Sequence, residues 1–421
     1  MDYTETNRTL IARKAKQDPQ LKFTSLLHHL NADYLKDCYK QLKRGKAAGV
    51  DGRKLESYTD EEIEQALKHT AKSIQQKIYR PQPVRRVYID KSNGNKRPLG
   101  IPTVIDKVVQ LACTRILEDI YEPNFLSVSY GYRPKRDAHK ALKEVNHMIM
   151  GQKVNWVIDA DIKGFFDNVN HKWMMECLSQ KIKDPNFKSL IFKFLKAGIM
   201  EERKYQASSK GTPQGGIISP ILANIYLHYV LDLWVQAHKR KLRGYVQLVR
   251  YADDFLIGVQ HPYEAKQLLK ELDKRFNKFG LKLSKEKTSI KEFGRFASQN
   301  CKRKGRKPET FDFLGFTHYC TQTKDGRFQV KLRTSKIKMK QAVTEMNQWL
   351  KTIRNRIPLP DIWKSLKLKL QGHYNYYGIS GNFESINQYY HRTRQLSFKW
   401  MNRRSQKKSW NWEKYEIYLT T

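Results

Sequence analysis

Between residues 10 and 42 apolar side chains recur at helical spacing. Leu10 to Lys16 makes a first segment, and 23–42 a second that carries Leu26, Leu27, Leu30, Leu35 and Leu42. Gly49-Val50-Asp51-Gly52 breaks that pattern as a turn. A helix is predicted from Asp60 to about Tyr79, because its first turn is acidic (Asp60, Glu61, Glu62) and its end basic, as the helix dipole favours. The chain then becomes extended at Val84, Val87 and Ile89, and Asn93-Gly94 predicts a hairpin turn before Lys96-Arg97-Pro98-Leu99. Val108, Ala112, Ile116 and Ile120 mark one face of a helix over 104–120. Val154 to Asp161 predicts a strand, and Tyr245 to Val259 two strands around Ala252-Asp253-Asp254.

After Phe316 the pattern turns helical and basic. Ala342, Met346, Trp349, Leu350, Ile353 and Ile357 form one apolar stripe, stopped by Pro358 and Pro360. Trp363, Leu366, Leu370, Tyr374 and Tyr377 form a second. Strands interleaved with helices imply an α+β fold whose sheet is covered on one face. No internal repeat at a solenoid period is present, and the change of pattern puts a boundary near 320–330.

Charge narrows the class. The 421 residues hold 80 Lys+Arg against 41 Asp+Glu, a formal charge of +39. Solubility alone needs only about 2–8 for a small domain. Such an excess fits a polyanionic partner, since each phosphate contacted by Lys or Arg releases a condensed counterion. The five cysteines are scattered without a Cys-x-x-Cys pair, so neither a disulfide framework nor a zinc finger is expected. With no apolar N-terminal stretch and no window of roughly 18 apolar residues, the expectation is a soluble, reduced, cytoplasmic protein.

Adjacent aspartates at a hairpin tip serve folding poorly, because each raises the pKa of the other unless a cation intervenes. A bare turn would also tolerate them, since Asp accepts turn dihedrals. The upstream strand changes the balance. Alternation along 155–161 places Val157, Asp159 and Asp161 on one face, so a second strand end can add a carboxylate and complete a two-metal site. Alternation does not choose between Asp159 and Asp161.

Tyr251-Ala-Asp-Asp254 behind Val249-Arg250, with Asp161-Ile-Lys-Gly-Phe-Phe-Asp167 upstream, resembles the palm of reverse transcriptases. Arg97-Pro-Leu-Gly-Ile-Pro-Thr103 and Ser129-Tyr-Gly-Tyr-Arg-Pro134 precede these aspartates. Gly211-Thr-Pro-Gln-Gly-Gly216, Ser219-Pro220 and Leu222-Ala-Asn-Ile225 lie between them. Gly280-Leu-Lys-Leu-Ser284, Glu286-Lys-Thr288 and Phe313-Leu-Gly-Phe316 follow. In this order, and from about residue 20 to the end, the set resembles a group II intron reverse transcriptase/maturase.

The resemblance implies a right-hand polymerase: an N-terminal extension over 1–60, fingers and palm over 61–320, and an all-helical thumb, the X or maturase domain, over 321–421. It implies Asp161, Asp253 and Asp254 as catalytic, metal-holding carboxylates for two Mg²⁺ ions, with Asp159 supporting. Phe166 would lie under the incoming sugar and select dNTP over rNTP, Lys91 and Arg97 would hold the triphosphate, Gln214 would approach the nascent base pair, and Lys287 would donate a proton to pyrophosphate. Partners implied are group II intron RNA, an RNA template with DNA or RNA primer, and target DNA, with no membrane; monomer and dimer both stay open. The absence of a Cys-rich segment after the thumb leads to the expectation of no HNH endonuclease. A splicing cofactor that chiefly binds RNA, and a domesticated enzyme of defence or repair, are the alternatives. Asp106, Asp119 and Asp167 read as helix caps or surface charges, and Lys302 to Lys307 as a basic loop touching nucleic acid.

Overall fold

The computed structural model describes residues 3–90, 96–202, 204–207, 209–212, 215–405 and 410–420. The chain divides into two compact units, 1–148 with 152–290, and 149–151 with 291–421. The strands of the first are β1 (Val84–Asp90), β2 (Lys96–Ile101), β3 (Trp156–Asp161), β4 (Ile199–Glu201), β5 (Lys204–Gln206), β6 (Val246–Tyr251) and β7 (Asp254–Val259). β8 (Ser289–Glu292) spans the division. The second unit has β9 (Phe311–Phe313), β10 (Phe316–Gln322) and β11 (Phe328–Thr334).

Helix Val104–Tyr121 is the centre of the first unit. The predicted face of Val108, Ala112, Ile116 and Ile120 is buried, and so are Val109, Cys113, Leu117 and Tyr121 beside it. Helix Tyr3–Gln17 is fastened to it by Arg8, whose Nε donates to Asp119 Oδ2 at 2.7 Å. Thr103, not Asp106, caps the helix, its hydroxyl accepting from the Asp106 N–H. The buried Asp106 carboxylate instead accepts from the Tyr79 hydroxyl at 2.5 Å and from Thr103 Oγ1 at 2.7 Å. Asp106 and Asp119 are therefore interior tethers rather than caps or surface charges, whereas Asp167 is exposed in the first turn of the short helix Phe165–Asn168.

Two four-stranded sheets organise this unit, in the orders β2-β1-β4-β5 and β6-β7-β3-β8. The predicted hairpin is present: β1 and β2 pair antiparallel from Arg85↔Ile101 to Asp90↔Lys96. In the second sheet β3 pairs antiparallel with β7 from Trp156↔Val259 to Asp161↔Asp254. Val157 and Ile158 point to opposite faces and are both fully buried. The sheet is thus covered on both faces over its middle, not on one, and Asp159 and Asp161 are partly exposed toward one of its ends.

In the second unit the expectation of helix throughout 321–421 fails at its start. Phe316–Gln322 and Phe328–Thr334 form an antiparallel hairpin around Asp325-Gly326, where Gly326 has φ +76°. Phe316, Thr317, Tyr319, Thr321, Phe328 and Val330 are β-branched or aromatic, which suits a pleated surface better than a helix. Helices Lys336–Ile353, Leu359–Tyr377 and Phe383–Met401 follow, and both predicted stripes supply the core through Met346, Leu350 and Leu366. The basic stretch 302–307 is anchored more firmly than a surface loop. Lys304 and Arg306 pair at 3.4 and 3.1 Å with Glu292, which is only 3% exposed. Among the described residues no helix is long and apolar enough to cross a membrane.

Leu350 is fully enclosed between these helices. Leu350→Ala is expected to lower denaturant stability of this unit by about 2–5 kcal/mol, from lost burial plus the cavity left behind. A midpoint unchanged from wild type in urea unfolding would refute that packing.

Candidate active site

The carboxylates meet where β3 and the β6–β7 hairpin end. Asp161 stands opposite Asp254 in the antiparallel ladder, while Asp159 stands opposite Leu256. Between the strands Ala252 adopts φ +57°, a left-handed conformation that costs an L-residue roughly 1–2 kcal/mol. That turn sets Asp253 and Asp254 side by side beyond β6. Burial first, then the charges of Asp159, Asp253 and Asp161, push the Asp254 carboxyl up to about 7, against the pull of Lys287. Burial also raises Asp253, with Asp161 adding to it; its own backbone N–H, Arg97 and Arg250 act the other way.

Lys287 reaches this cluster through the chain around it. Lys163 donates its N–H to the Lys282 carbonyl, and Ser284 donates to the Asp161 carbonyl at 2.8 Å. The Ser284–Lys287 turn then brings Lys287 Nζ to 3.0 Å from Asp161 Oδ2. Its side chain stays 68% exposed, so the pair is solvent-screened and exchangeable.

A second set of residues supports the hairpin: Arg250, Asn224 and Gly131, which lie in the motifs quoted above without a role of their own, and Asp232, which the sequence reading missed. Arg250 is fully buried and pairs with Asp232 through two bonds of 2.7 and 2.6 Å. Its Nη1 donates to the Ala252 carbonyl at 2.9 Å and to Asn224 Oδ1 at 3.0 Å. Asn224 Nδ2 in turn donates to the Gly131 carbonyl at 2.8 Å. A Cβ on Gly131 would lie 2.4 Å from the Ala252 nitrogen, so only glycine fits there. The available sequence signal is Asp232, a charge closing the mainly apolar run 221–231; the fold places it on a widened π-turn over His228–Asp232.

Phe166 is half-buried on the helix Phe165–Asn168, edge-on to the buried Phe165 ring at 5.3 Å. Thr212 donates its N–H to the Phe166 carbonyl at 2.7 Å, and a Cβ on Gly215 would come within 2.9 Å of the Gly100 carbonyl. Thr212 is therefore bonded to that helix, and Gly215 lies close against β2. Gln214 and Lys91 lie outside the described residues. Arg97 is exposed on β2 opposite Ile89, and its charge is felt at Asp253. A cavity of about 360 Å³ adjoins these elements, lined among others by Arg86, Gly100, Asp167, Lys210 and Thr212; the three clustered aspartates do not line it.

Among the described residues no three His, Cys, Asp or Glu side chains form a ready-made ligand cage. Mg²⁺ does not require one: it keeps several waters and binds through one or two carboxylates plus substrate phosphates. An oxygen-only donor set whose negative charge Lys287 offsets only in part fits such an ion, and Asp161, Asp253 and Asp254 are the candidates to hold it.

Residues 89–318 match the family described as reverse transcriptase (RNA-dependent DNA polymerase). The chain is similar to group II intron-encoded protein LtrA of Lactococcus lactis subsp. cremoris, 34% identical over 453 aligned positions that cover 90% of this chain and 74% of that protein. Protein YkfC of Escherichia coli (strain K12) is 33% identical, covering 62% of this chain and 76% of its own. Nuclear intron maturase 4, mitochondrial, of Arabidopsis thaliana is 29% identical over 31% of this chain and 16% of its own.

The raised Asp254 carboxyl carries a signed consequence. Between its ordinary value of 3.8 and about 7 the ion-free folded chain binds more protons than the unfolded chain. This group's contribution to stability is therefore present at low pH and lost as pH rises through that window. In EDTA, Asp254→Asn is expected to gain in melting temperature over wild type as pH goes from about 5 to 8. Parallel wild-type and variant melting curves across that range would show the charge burden is absent.

Proposed function

Since the chain belongs to the group II intron reverse transcriptase/maturase family, we propose that it copies RNA into DNA and assists splicing and mobility of an intron. The observation that carries this reading is the Asp161↔Asp254 register with Asp253 beside it: acidic groups from separate strands share one end of a sheet, burdened with like charge.

In this reading Asp161 and Asp253 hold two Mg²⁺ ions, with Asp254 completing the negative site. Bound ions supply activation of the primer 3′-hydroxyl and stabilisation of the departing pyrophosphate. The protein's own groups do the rest. Arg97, together with Lys91, neutralises the triphosphate of the incoming dNTP. The Phe166 ring lies under the sugar and excludes a 2′-hydroxyl. Gln214 lies against the nascent base pair, in a segment whose glycines allow close backbone approach. Lys287, already beside Asp161, supplies a proton to pyrophosphate. Residues 1–60 extend the grip on template, and 321–421 act as thumb and maturase surface for template–primer, intron RNA and target DNA. The excess of Lys and Arg over the whole chain supports such contacts. The protein would work in the cytoplasm as a ribonucleoprotein.

A second reading, favoured by the same charge and by a relative named as a maturase, makes RNA binding the main task and polymerisation secondary. Splicing with Asp161→Ala separates the two: splicing at wild-type rate shows that RNA binding alone suffices for that role.

Asp253→Ala is expected to reduce dNTP incorporation on an RNA template by several orders of magnitude, since charge stabilisation by bound ions supplies most of the catalysis. Phe166→Ala should leave dNTP incorporation measurable while raising rNTP incorporation. A wild-type rate in Asp253→Ala would remove these aspartates from the mechanism.

A further inference from the structure

The Arg250–Asp232 pair is a poor stabiliser by ordinary standards. Both side chains are wholly shielded from solvent. Taking two charges out of water is costly even after relaxation, and well-packed apolar residues of the same volume often do as well or better. The pair's geometry shows a different use.

Arg250 donates along three directions at once: two bonds to Asp232, one to Asn224 and one to the carbonyl of Ala252. Its main chain is also fixed, the N–H donating to Val128 and the carbonyl accepting from Tyr130, both at 2.8 Å. The Ala252 nitrogen abuts Gly131, whose carbonyl is tied through Asn224 back to the same guanidinium. The Ala252–Asp253 peptide is thus held at its carbonyl oxygen by a charged donor and bounded at the preceding nitrogen by backbone. Ala252 is in the left-handed region, where an alanine does not stay without external support. Asp253 is the next residue, so the plane of that peptide sets where its nitrogen and Cα lie and limits the directions its carboxylate can take.

We propose that Arg250, oriented by Asp232 and Asn224, is a positioning residue that aims the Asp253 carboxylate for ion binding during polymerisation. The proposal rests on the polymerase reading above. Arg250 itself touches neither substrate nor ion; it acts through the Ala252 carbonyl. Lysine preserves the charge opposite Asp232, but one ammonium lacks the planar fork needed to hold Asp232, Asn224 and Ala252 together.

The test is a Mg²⁺ titration of RNA-templated dNTP incorporation by the full chain, wild type against Arg250→Lys, with RNA binding and thermal melting measured on the same samples. The expected result is a higher Mg²⁺ concentration for half-maximal rate and a saturated rate lower by up to about 100-fold, the scale of an ångström-sized misplacement, with RNA affinity unchanged. A folded Arg250→Lys with the wild-type Mg²⁺ curve and rate overturns the proposal, as does a lost rate that follows melting alone with the Mg²⁺ midpoint unmoved. Should Arg250→Lys not fold, Asn224→Ala decides by the same criterion, because it removes the strut to Gly131 without leaving a buried charge unpaired. A wild-type chain with no templated incorporation in Mg²⁺ defeats the polymerase reading, and this proposal with it; wild-type activity retained in the variants defeats only this proposal.

Discussion

Carboxylates repel one another, and a fold that gathers Asp159, Asp161, Asp253 and Asp254 at one sheet end has to hold them by other means. The means here lie in the surrounding structure. The strands that carry them are enclosed by apolar residues on both faces, so the sheet cannot relax by twisting its end away. The repulsion remains as a raised Asp254 carboxyl and is relieved in part by Lys287 at Asp161. Much of the unit's remaining architecture can be understood as support for that end. The helix 104–121 fills the core, the segment 282–284 bonds the last residues of β3, and the buried guanidinium secures the hairpin.

What could be read in the sequence divides along a physical line. Features set by local pattern were legible: the hairpin of β1 and β2, the strands flanking Ala252, and both helical stripes after Lys336. Alternation left Asp159 and Asp161 equivalent, because side-chain direction repeats every second residue; the pairing register distinguishes them, setting only Asp161 opposite Asp254. Partners distant in sequence stayed hidden. Nothing near Arg250 announces Asp232, 18 residues away, and nothing near Glu292 announces that Lys304 and Arg306 will close over it. The tethering roles of Asp106 and Asp119 are hidden for the same reason, since their partners Tyr79 and Arg8 lie 27 and 111 residues off.

The family match and the geometry carry different parts of the conclusion. Residues 89–318 establish what kind of protein this is. They say nothing of why a hairpin containing a left-handed alanine is held in place, or why a positive charge is buried behind it. Those points come from bond lengths and burial around Arg250, and they concern how tightly the reacting groups are held rather than which groups react.

The near-contact between Gly131 and Ala252 has a bearing on inheritance and engineering. Segments 129–134 and 249–254, far apart in sequence, share a boundary with no slack: a methyl group added to the first collides with the backbone of the second. They behave as one part made of two pieces. Chimeras between relatives that exchange one piece alone would mismatch that boundary, whereas a crossover placed outside both carries the fitted pair intact.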